Sequence, residues 1–253
     1  ITALPKPYVS PSQLNMYLRC PAQYKYRYID NIILPPRSAI TKGRAVHKGQ
    51  EHNYRQKVET FQDLKLSEIQ EVAAAEFETF AEETEWEKDE DPGKAKDEAI
   101  SLTTLYHTEV SPQVQPVLVE EAVSVPLDSG YSIYGFIDVL DNQGYIRDTK
   151  TTARTPSASE ADKSLQLTAY SLAYRELMGI PEKGVILDYL VQTKTPKVVS
   201  LKAKRTKRDI KRFLAIVGGV VEAINNDIFY PNPGNFMCNE KNCGYWKLCH
   251  ADF

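Results

Sequence analysis

The chain of 253 residues is long enough to bury a hydrophobic core, and its composition, 42% hydrophobic and 26% charged, is typical of globular proteins. No apolar run approaches the roughly 20 residues that a membrane-spanning helix requires. A net charge of −3 argues against a general polyanion binder, although the charges are unevenly distributed. The N-terminal residues lack the features of a secretory signal, so we expect an intracellular, cytoplasmic protein without a membrane partner.

The first half of the chain is predicted to be helical. Ser10 and Gln13 form a capping-box pattern, with Pro11 at the first helical position, and this helix is expected to end near Cys20. Helical periodicity predicts three further helices, at about 39–54, 67–84 and 94–108.

The second half is predicted to mix strands with helices. Alternation and β-branched residues indicate three consecutive antiparallel strands, at 111–127, 131–141 and 144–151. A buried helix at 163–178 should end at Gly179, since glycine commonly closes helices. Two more strands and a last helix follow, at 184–192, 197–203 and about 206–226.

Two segments carry most of the charge asymmetry. Residues 76–91 are acidic and are interpreted as solvated surface. Residues 194–212 contain nine Lys or Arg and one Asp, a composition that fits either a solvated surface or contact with phosphates.

Two aspartates and a lysine lie on predicted strands, where Asp is rare and seldom buried without compensation. Asp138 lies in an apolar strand, and Asp148 and Lys150 follow in the next strand. Alternation places Asp148 and Lys150 on one face, about 6.6 Å apart.

The length of the intervening loop decides whether Asp138 joins this pair. A two- or four-residue loop would place the two aspartates on opposite faces. A three-residue loop at 142–144, with Gly144 in the left-handed conformation, pairs Asp141 with Tyr145 and sets Asp138 opposite Asp148. We expect the three-residue loop.

Two neighbouring carboxylates repel each other unless a cation lies between them, and oxygen ligands suit Mg²⁺ or Mn²⁺. Lys150 could then orient and help deprotonate a water on the metal. A structural Asp–Lys ion pair is the alternative interpretation. His47 could be a further ligand or a structural histidine, and core hydrogen bonding would explain Gln166 and Tyr170 equally well.

The ordered segments 10–28, 43–47 (GRAVH), 135–140 (GFIDVL), 147–151 (RDTKT) and 166–170 (QLTAY) resemble the RecB-like branch of the PD-(D/E)XK nuclease superfamily. Within it, the resemblance is to iron-sulfur nucleases such as the AddB nuclease domain and the CRISPR-associated adaptation nucleases. The resemblance implies an α/β fold with a restriction-endonuclease-like core, in which helices flank a mixed central sheet. It also implies one nuclease domain over 1–253, with a helical insertion at about 55–110 and a cysteine-rich clasp formed by 230–253 with Cys20.

The same resemblance implies roles for individual residues. His47, Asp138 and Asp148 match the metal ligands, and Lys150 matches the catalytic lysine of the D-x-K motif. Gln166 and Tyr170 match a Q-x-x-x-Y motif that positions the lysine and the DNA. An upstream acidic residue of many relatives is matched by Glu120, with Glu121 as the competing candidate.

The sequence contains four cysteines: Cys20, Cys238, Cys243 and Cys249. Both Zn²⁺ with four thiolates and a 4Fe-4S cluster require four cysteines in a compact arrangement, and their spacing does not separate these groups from each other. Unligated thiols or disulfides are further alternatives. The resemblance favours the cluster, although four residues separate Cys238 from Cys243 where relatives commonly have two.

The function implied is a Mg²⁺- or Mn²⁺-dependent deoxyribonuclease, an exonuclease acting on single-stranded DNA or DNA ends. Repair, recombination and CRISPR adaptation are the candidate processes, with protein partners in a repair, phage or CRISPR complex. Alternatives are a noncatalytic DNA-binding or assembly module and a zinc-bearing structural protein. DNA contacts are expected in the tyrosine-rich and basic segments, at Tyr24, Arg27, Lys204, Arg205, Lys207 and Arg208.

Overall fold

The computed structural model describes residues 7–127 and 130–253, so the first six residues of the predicted domain lie outside it. The strands are β1 (Tyr8–Val9), β2 (Pro116–Pro126), β3 (Ser132–Asp141), β4 (Tyr145–Thr152), β5 (Gly184–Val191) and β6 (Lys197–Ala203). The helices are α1 (Pro11–Arg19), α2 (Pro21–Tyr24), α3 (Ser38–Thr60), α4 (Leu66–Ala81), α5 (Pro92–Glu109), α6 (Glu160–Lys163), α7 (Leu165–Met178), α8 (Lys207–Asn225) and α9 (Trp246–Asp252). A π-helical turn, Lys25–Ile29, continues α2.

The first helix begins as its sequence predicts. The Ser10 hydroxyl accepts a hydrogen bond from the Gln13 backbone N–H at 3.2 Å, and the Gln13 side chain accepts one from the Ser10 N–H at 2.7 Å. This capping box satisfies two N–H groups that a helix start leaves unpaired. Cys20 follows the helix in an extended conformation and separates α1 from α2.

The strands form one mixed sheet around β3. The long strand β2 pairs antiparallel with one edge of β3 over most of its length. On the other edge, β1 pairs in parallel near Ile133, and β4 pairs antiparallel at Val139 and Leu140. β5 is parallel to β4, with α7 as the crossover, and β6 is antiparallel to β5. The predicted fold class, a mixed sheet flanked by helices, is confirmed.

The turn between β3 and β4 has the three-residue loop that was expected. Val139 pairs with Arg147 and Leu140 with Ile146, and the same register extended by one residue sets Asp138 opposite Asp148. Gly144 has φ +82°, in the region that only glycine adopts without strain. The predicted register is therefore confirmed.

Apolar side chains cover both faces of this sheet. One face packs against α1, α7 and α8 through a cluster that includes Ile133, Ile137 and Leu140. The other face packs against α3 and α5 through a smaller cluster that includes Val46 and Val139. None of the described helices combines the length and the apolar character that crossing a membrane requires.

The alternation of side chains in β3 is interrupted at Asp138. Ile137 and Val139 have the same parity, yet they belong to the clusters on opposite faces of the sheet. In the partner strand, Glu120 lies opposite Asp138 in the register and has φ +50°. A left-handed residue within a strand redirects neighbouring side chains, so both acidic residues lie at a local distortion of the sheet.

Candidate active site

A hydrogen-bonded chain links the end of β4 to α7. Lys150 Nζ donates to Asp148 Oδ1 at 2.9 Å, and Gln166 Nε2 donates to the same oxygen at 2.9 Å. Gln166 Nε2 also contacts the Tyr170 hydroxyl at 2.9 Å. Because Gln166 and Tyr170 lie one helical turn apart, α7 presents both to the buried carboxylate of Asp148.

Tyr170 has a close backbone neighbour that fixes its position. A Cβ built on Gly135 would lie 3.1 Å from Cε1 of the Tyr170 ring. A side chain at position 135 would therefore require the Tyr170 ring to shift by a few tenths of an ångström.

Three other side chains converge beside this chain. His47 of α3, Glu120 of β2 and Asp138 of β3 each place a ligand atom within 4.8 Å of the other two. Glu121, the alternative to Glu120, is exposed. The structure thus places His47, Asp138, Asp148 and Lys150 close together, with Glu120 rather than Glu121 beside them. Their roles in the site stay a prediction.

The orientation of His47 fits a metal ligand. Its Nε2 lies 2.8 Å from the carbonyl oxygen of Thr149, an acceptor, so Nε2 carries the hydrogen and Nδ1 carries the lone pair. Nδ1 lies 3.5 Å from Oδ2 of Asp138, which is buried and has no hydrogen-bond partner among the described residues. Two acceptors facing each other in the interior fit a cation between them.

The electrostatics of the group agree with this interpretation. Burial raises the pKa of Asp138 well above its ordinary value, and the negative charge of Asp148 raises it further. Burial lowers the pKa of His47 and therefore favours the neutral imidazole that binds metals. Burial also raises the pKa of Glu120, to which the charge of Glu51 contributes. The carboxylates repel one another, and a divalent cation would relieve that repulsion.

For Lys150, the effect of neighbouring charges on the pKa opposes the effect of burial. Burial by itself favours a neutral amine, but the charges of Asp148 and Asp138 outweigh it and raise the pKa of Lys150. The Lys150 side chain keeps 38% of its surface exposed, whereas that of Asp148 is fully buried. The structure therefore holds Lys150 as an accessible cation next to the carboxylates.

The four cysteines meet at the other end of α1. Cys20, Cys238, Cys243 and Cys249 line one small cavity, and all four are free thiols. Gln23 Nε2 donates to Cys243 Sγ at 3.1 Å. Burial raises the pKa of Cys249, and the three other cysteines raise it further, which is the behaviour of thiols that share one site.

The predicted DNA contacts are only partly on the surface. Tyr24 is fully buried and packs against Tyr17 and Phe229, so it cannot stack on a base without unfolding its surroundings. Arg205 is also buried, and its guanidinium donates to Thr168 and to backbone carbonyls. We therefore do not retain these two as DNA contacts. Three predicted contacts are exposed, at Lys204, Lys207 and Arg208.

Arg27, the remaining predicted contact, lines a cleft of about 630 Å³ that also reaches Asp138 and Tyr170. The cleft contains two further residues that were not predicted from the sequence, Tyr134 and Phe136. Both share the parity of Asp138 on β3, so the pattern Tyr-x-Phe-x-Asp was the signal that could have found them.

Comparison with known proteins settles the family. The family model of the PD-(D/E)XK nuclease superfamily matches residues 8–250. The chain belongs to this superfamily. No curated protein matches the sequence significantly.

Solved structures show the same fold. The crystal structure of a candidate exonuclease from Eubacterium rectale matches this PD-(D/E)XK chain with a TM-score of 0.63 at 11% identity, covering 97% of this chain and 88% of the other. A second structure, of the protein named SSO0001, matches with a TM-score of 0.40 at 14% identity, covering 83% and 84% of the two chains. The first of these likenesses supports the fold, and the second is too low to carry an argument.

Membership of a nuclease superfamily supports a nuclease, and therefore a nucleic-acid substrate. Members of the superfamily generally use Mg²⁺ or Mn²⁺, and the group of His47, Glu120 and Asp138 is a possible site for such an ion. The AddB-like or CRISPR-associated branch stays a prediction.

Proposed function

We propose that this protein is a Mg²⁺- or Mn²⁺-dependent deoxyribonuclease. The observation that carries the proposal is the buried pair of opposed carboxylates, Asp138 and Asp148, with Lys150 hydrogen-bonded to one of them and His47 facing the other. A buried like-charged pair is costly for a structural role, whereas a divalent ion needs such oxygen ligands and can in turn bind a phosphate.

His47, Glu120, Asp138 and Asp148 would hold the ion. When bound, it supplies stabilisation of the negative charge on the scissile phosphate and activation of the attacking water. Glu120 adds a second carboxylate on the side of Asp138 away from Asp148. Its left-handed backbone is a cost of about 1–3 kcal/mol that the sheet tolerates at this one acidic position.

Lys150 would act on the substrate as a cation. Its raised pKa keeps the ammonium protonated, so it donates hydrogen bonds to the attacking water or to a phosphate oxygen. Gln166 would serve as a positioning residue, because it fixes the same Asp148 oxygen that accepts from Lys150.

We further propose that the enzyme is an exonuclease that acts on single-stranded DNA or on DNA ends, in repair, recombination or CRISPR adaptation. The resemblance to RecB-like nucleases supports this. The approach to Asp138 through a cleft lined by Tyr28, Tyr134 and Phe136 is also suited to an unpaired strand.

Digestion of single- and double-stranded DNA with Mn²⁺, labelled at the 5′ or the 3′ end, tests the proposal. The wild type should release labelled mononucleotides or short products from single strands. Asp148→Ala and Lys150→Ala should each lower the rate by about 100-fold or more. Asp162→Ala, at an exposed aspartate of α6, is the matched control and should retain activity. Equal activity in all four proteins would refute the assignment.

For the cysteine cavity we propose a 4Fe-4S cluster. All four cysteines line one small cavity, and the resemblance to iron-sulfur nucleases supports a cluster there over a single zinc ion. The Gln23 hydrogen bond to Cys243 is of the kind that stabilises a cluster thiolate.

Anaerobic purification followed by metal analysis and visible absorption tests the cluster. The proposal predicts iron and acid-labile sulfide in equal amounts, with a brown colour that Cys243→Ser removes. One zinc ion per chain, with no visible band, would show the alternative zinc site.

A further inference from the structure

The cleft beside Asp138 has an aromatic wall. Phe136 leaves 45% of its surface exposed, and its ring centroid lies 5.5 Å from that of Tyr134. Tyr134 in turn lies 5.0 Å from Tyr8 of β1. An exposed phenylalanine ring does not gain the free energy that burial of apolar surface provides. A ligand that covers the Phe136 ring would gain this free energy on binding.

A second cleft, of about 490 Å³, continues from the first toward the cysteine cavity. The two clefts share Arg27, Tyr28 and Ile33 as lining residues. At its far end the second cleft reaches Gly244 and Tyr245, which lie beside Cys243. Together they form one groove, defined here as the strand groove, from the carboxylates to the cysteine-rich tail.

Four arginines line this groove: Arg19, Arg27, Arg37 and Arg44. Glu83 and Glu85 also line it, so arginines outnumber carboxylates in the second cleft. Among the described residues, Arg19, Arg27 and Arg44 form no ion pair with a carboxylate, and Arg37 has one at 4.0 Å, to Glu87. Arg19 donates to Gln23 Oε1 at 3.0 Å, and the Arg44 guanidinium lies 4.0 Å from the centroid of the Phe80 ring. Because these partners are neutral, the positive charges are not paired with carboxylates, which favours a polyanion as the occupant of the groove.

We propose that the strand groove binds an unpaired nucleic-acid strand, with bases stacked on Phe136 and Tyr134 next to Asp138 and phosphates held by Arg19, Arg27 and Arg44. Tyr134 and Phe136 line the first cleft and the arginines line the second, so one end of the groove offers ring faces for bases and the other offers cations for phosphates. This inference deepens the proposed nuclease function by assigning its substrate path, but binding itself does not depend on cleavage.

The same wall discriminates against duplex. In a double helix each base is covered above and below by its neighbours, so its faces are closed to side chains except at an end. A strand must therefore be unpaired over the nucleotides that contact Phe136 and Tyr134. A strand would therefore have to be unpaired in order to reach Asp138, independently of which substrate the cleavage reaction itself prefers.

Fluorescence anisotropy of a 5′-fluorescein-labelled oligothymidine, measured in EDTA to prevent cleavage, tests the aromatic wall. The double variant Tyr134→Ala/Phe136→Ala should bind the oligonucleotide about 10-fold or more weakly than wild type. The single variant Phe136→Tyr, which keeps Tyr134 and an aromatic ring at position 136, should retain most of the wild-type affinity. Phe61→Ala is the matched control, since Phe61 is 70% exposed at the end of α3 and outside the groove. Unchanged affinity in the double variant would overturn the proposal.

The salt dependence of binding tests the arginines. Removing one phosphate contact with a single strand should reduce the slope of log K against log salt by about 0.7. Arg44→Gln should show this reduction, whereas Lys65→Gln, at an exposed lysine outside the groove, should not. An unchanged slope in Arg44→Gln, or an equal reduction in both variants, would refute the groove.

Annealing the labelled strand to its complement separates this inference from the proposed function. Wild type should bind the blunt duplex at least about 10-fold more weakly than the single strand, and the double aromatic variant should lose that discrimination. If the wild type binds single strands through the groove but cleaves nothing with Mn²⁺, the groove stands and the nuclease proposal fails. If it cleaves while the groove variants bind and cleave normally, the groove fails alone.

Discussion

The carboxylate site and the cysteine cavity both collect groups that repel one another, but they do so with different scaffolds. Asp138 and Asp148 lie on adjacent strands, and the register of one hairpin places them together. The cysteines come from a turn after α1 and from the tail, more than two hundred residues apart in sequence.

This difference predicts different dependence on the bound group. Strand pairing and Gln166 hold the carboxylates whether or not a metal is present. Side-chain contacts rather than strand pairing hold the tail: Tyr26 donates to Asp252 at 2.8 Å, and the Tyr245 hydroxyl donates to the Ile32 carbonyl at 2.8 Å. The carboxylate site should therefore be preorganised, whereas the cysteine cavity should depend on its ligand for order.

Replacing one cysteine of the proposed cluster should affect the cysteine cavity without affecting the carboxylate site. We expect Cys20→Ser to abolish the visible absorption and expose the tail to limited proteolysis, while Mn²⁺ affinity at the carboxylates changes by less than about twofold. Asp148→Asn is the matched reciprocal variant, which should keep the absorption band. Loss of Mn²⁺ binding in Cys20→Ser would show that the regions fold as one unit.

A change at Glu120 should act on the carboxylate site alone. Glu120→Gln removes one charge from the proposed metal site, so the dissociation constant for Mn²⁺, measured by calorimetry, should rise by about 10- to 100-fold. Glu121→Gln, at the exposed neighbour, should leave it unchanged. Equal effects would contradict the selection of Glu120 by the distorted backbone.

Gln166 should affect turnover rather than metal binding, because it holds Asp148 and Lys150 without facing the ion. Gln166→Ala should lower kcat by about 10-fold with little change in Mn²⁺ affinity. In a Lys150→Ala background the further loss should be smaller, since both residues donate to the same oxygen of Asp148 and their effects are coupled. Additive losses would indicate an independent role.

The smallest effect concerns stability. Burial raises the pKa of Asp138 in the folded state. The contribution of Asp138 to the free energy of unfolding is therefore present at low pH and is lost as the pH rises through this folded-state pKa. Metal-free wild type should therefore lose stability toward alkaline pH, and Asp138→Asn should reduce this dependence. At pH 8 the melting temperature of Asp138→Asn should exceed that of wild type by about 2–4 °C for each kcal/mol by which the free energy of unfolding increases. A lower melting temperature would show that the carboxylate stabilises the fold.

Local rules predicted the parts of the structure that depend on neighbouring residues. The Ser10 capping box, the left-handed Gly144 and the three-residue loop follow from side-chain chemistry within a few positions, and the loop sets the register that opposes Asp138 and Asp148. The D-x-K spacing placed Lys150 beside Asp148 for the same reason.

Features that depend on tertiary packing were not predictable in this way. Tyr24 and Arg205 lie in segments that look suited to nucleic acid, but α1 and Phe229 enclose the tyrosine and α7 encloses the arginine. The strand groove combines residues from β3, α3 and the turn after α2, and no local pattern brings these together.

The position of Cys20 and Cys249 at opposite ends of the described chain has a consequence for synthesis. Ribosomes release the chain from its N-terminus, so β3 and β4 can pair while the tail is still being made. The cavity of four cysteines lacks a wall until residue 249 emerges. The cysteine cavity can therefore close only after the preceding residues have been synthesised. Any group that binds in it enters after translation of the nuclease core.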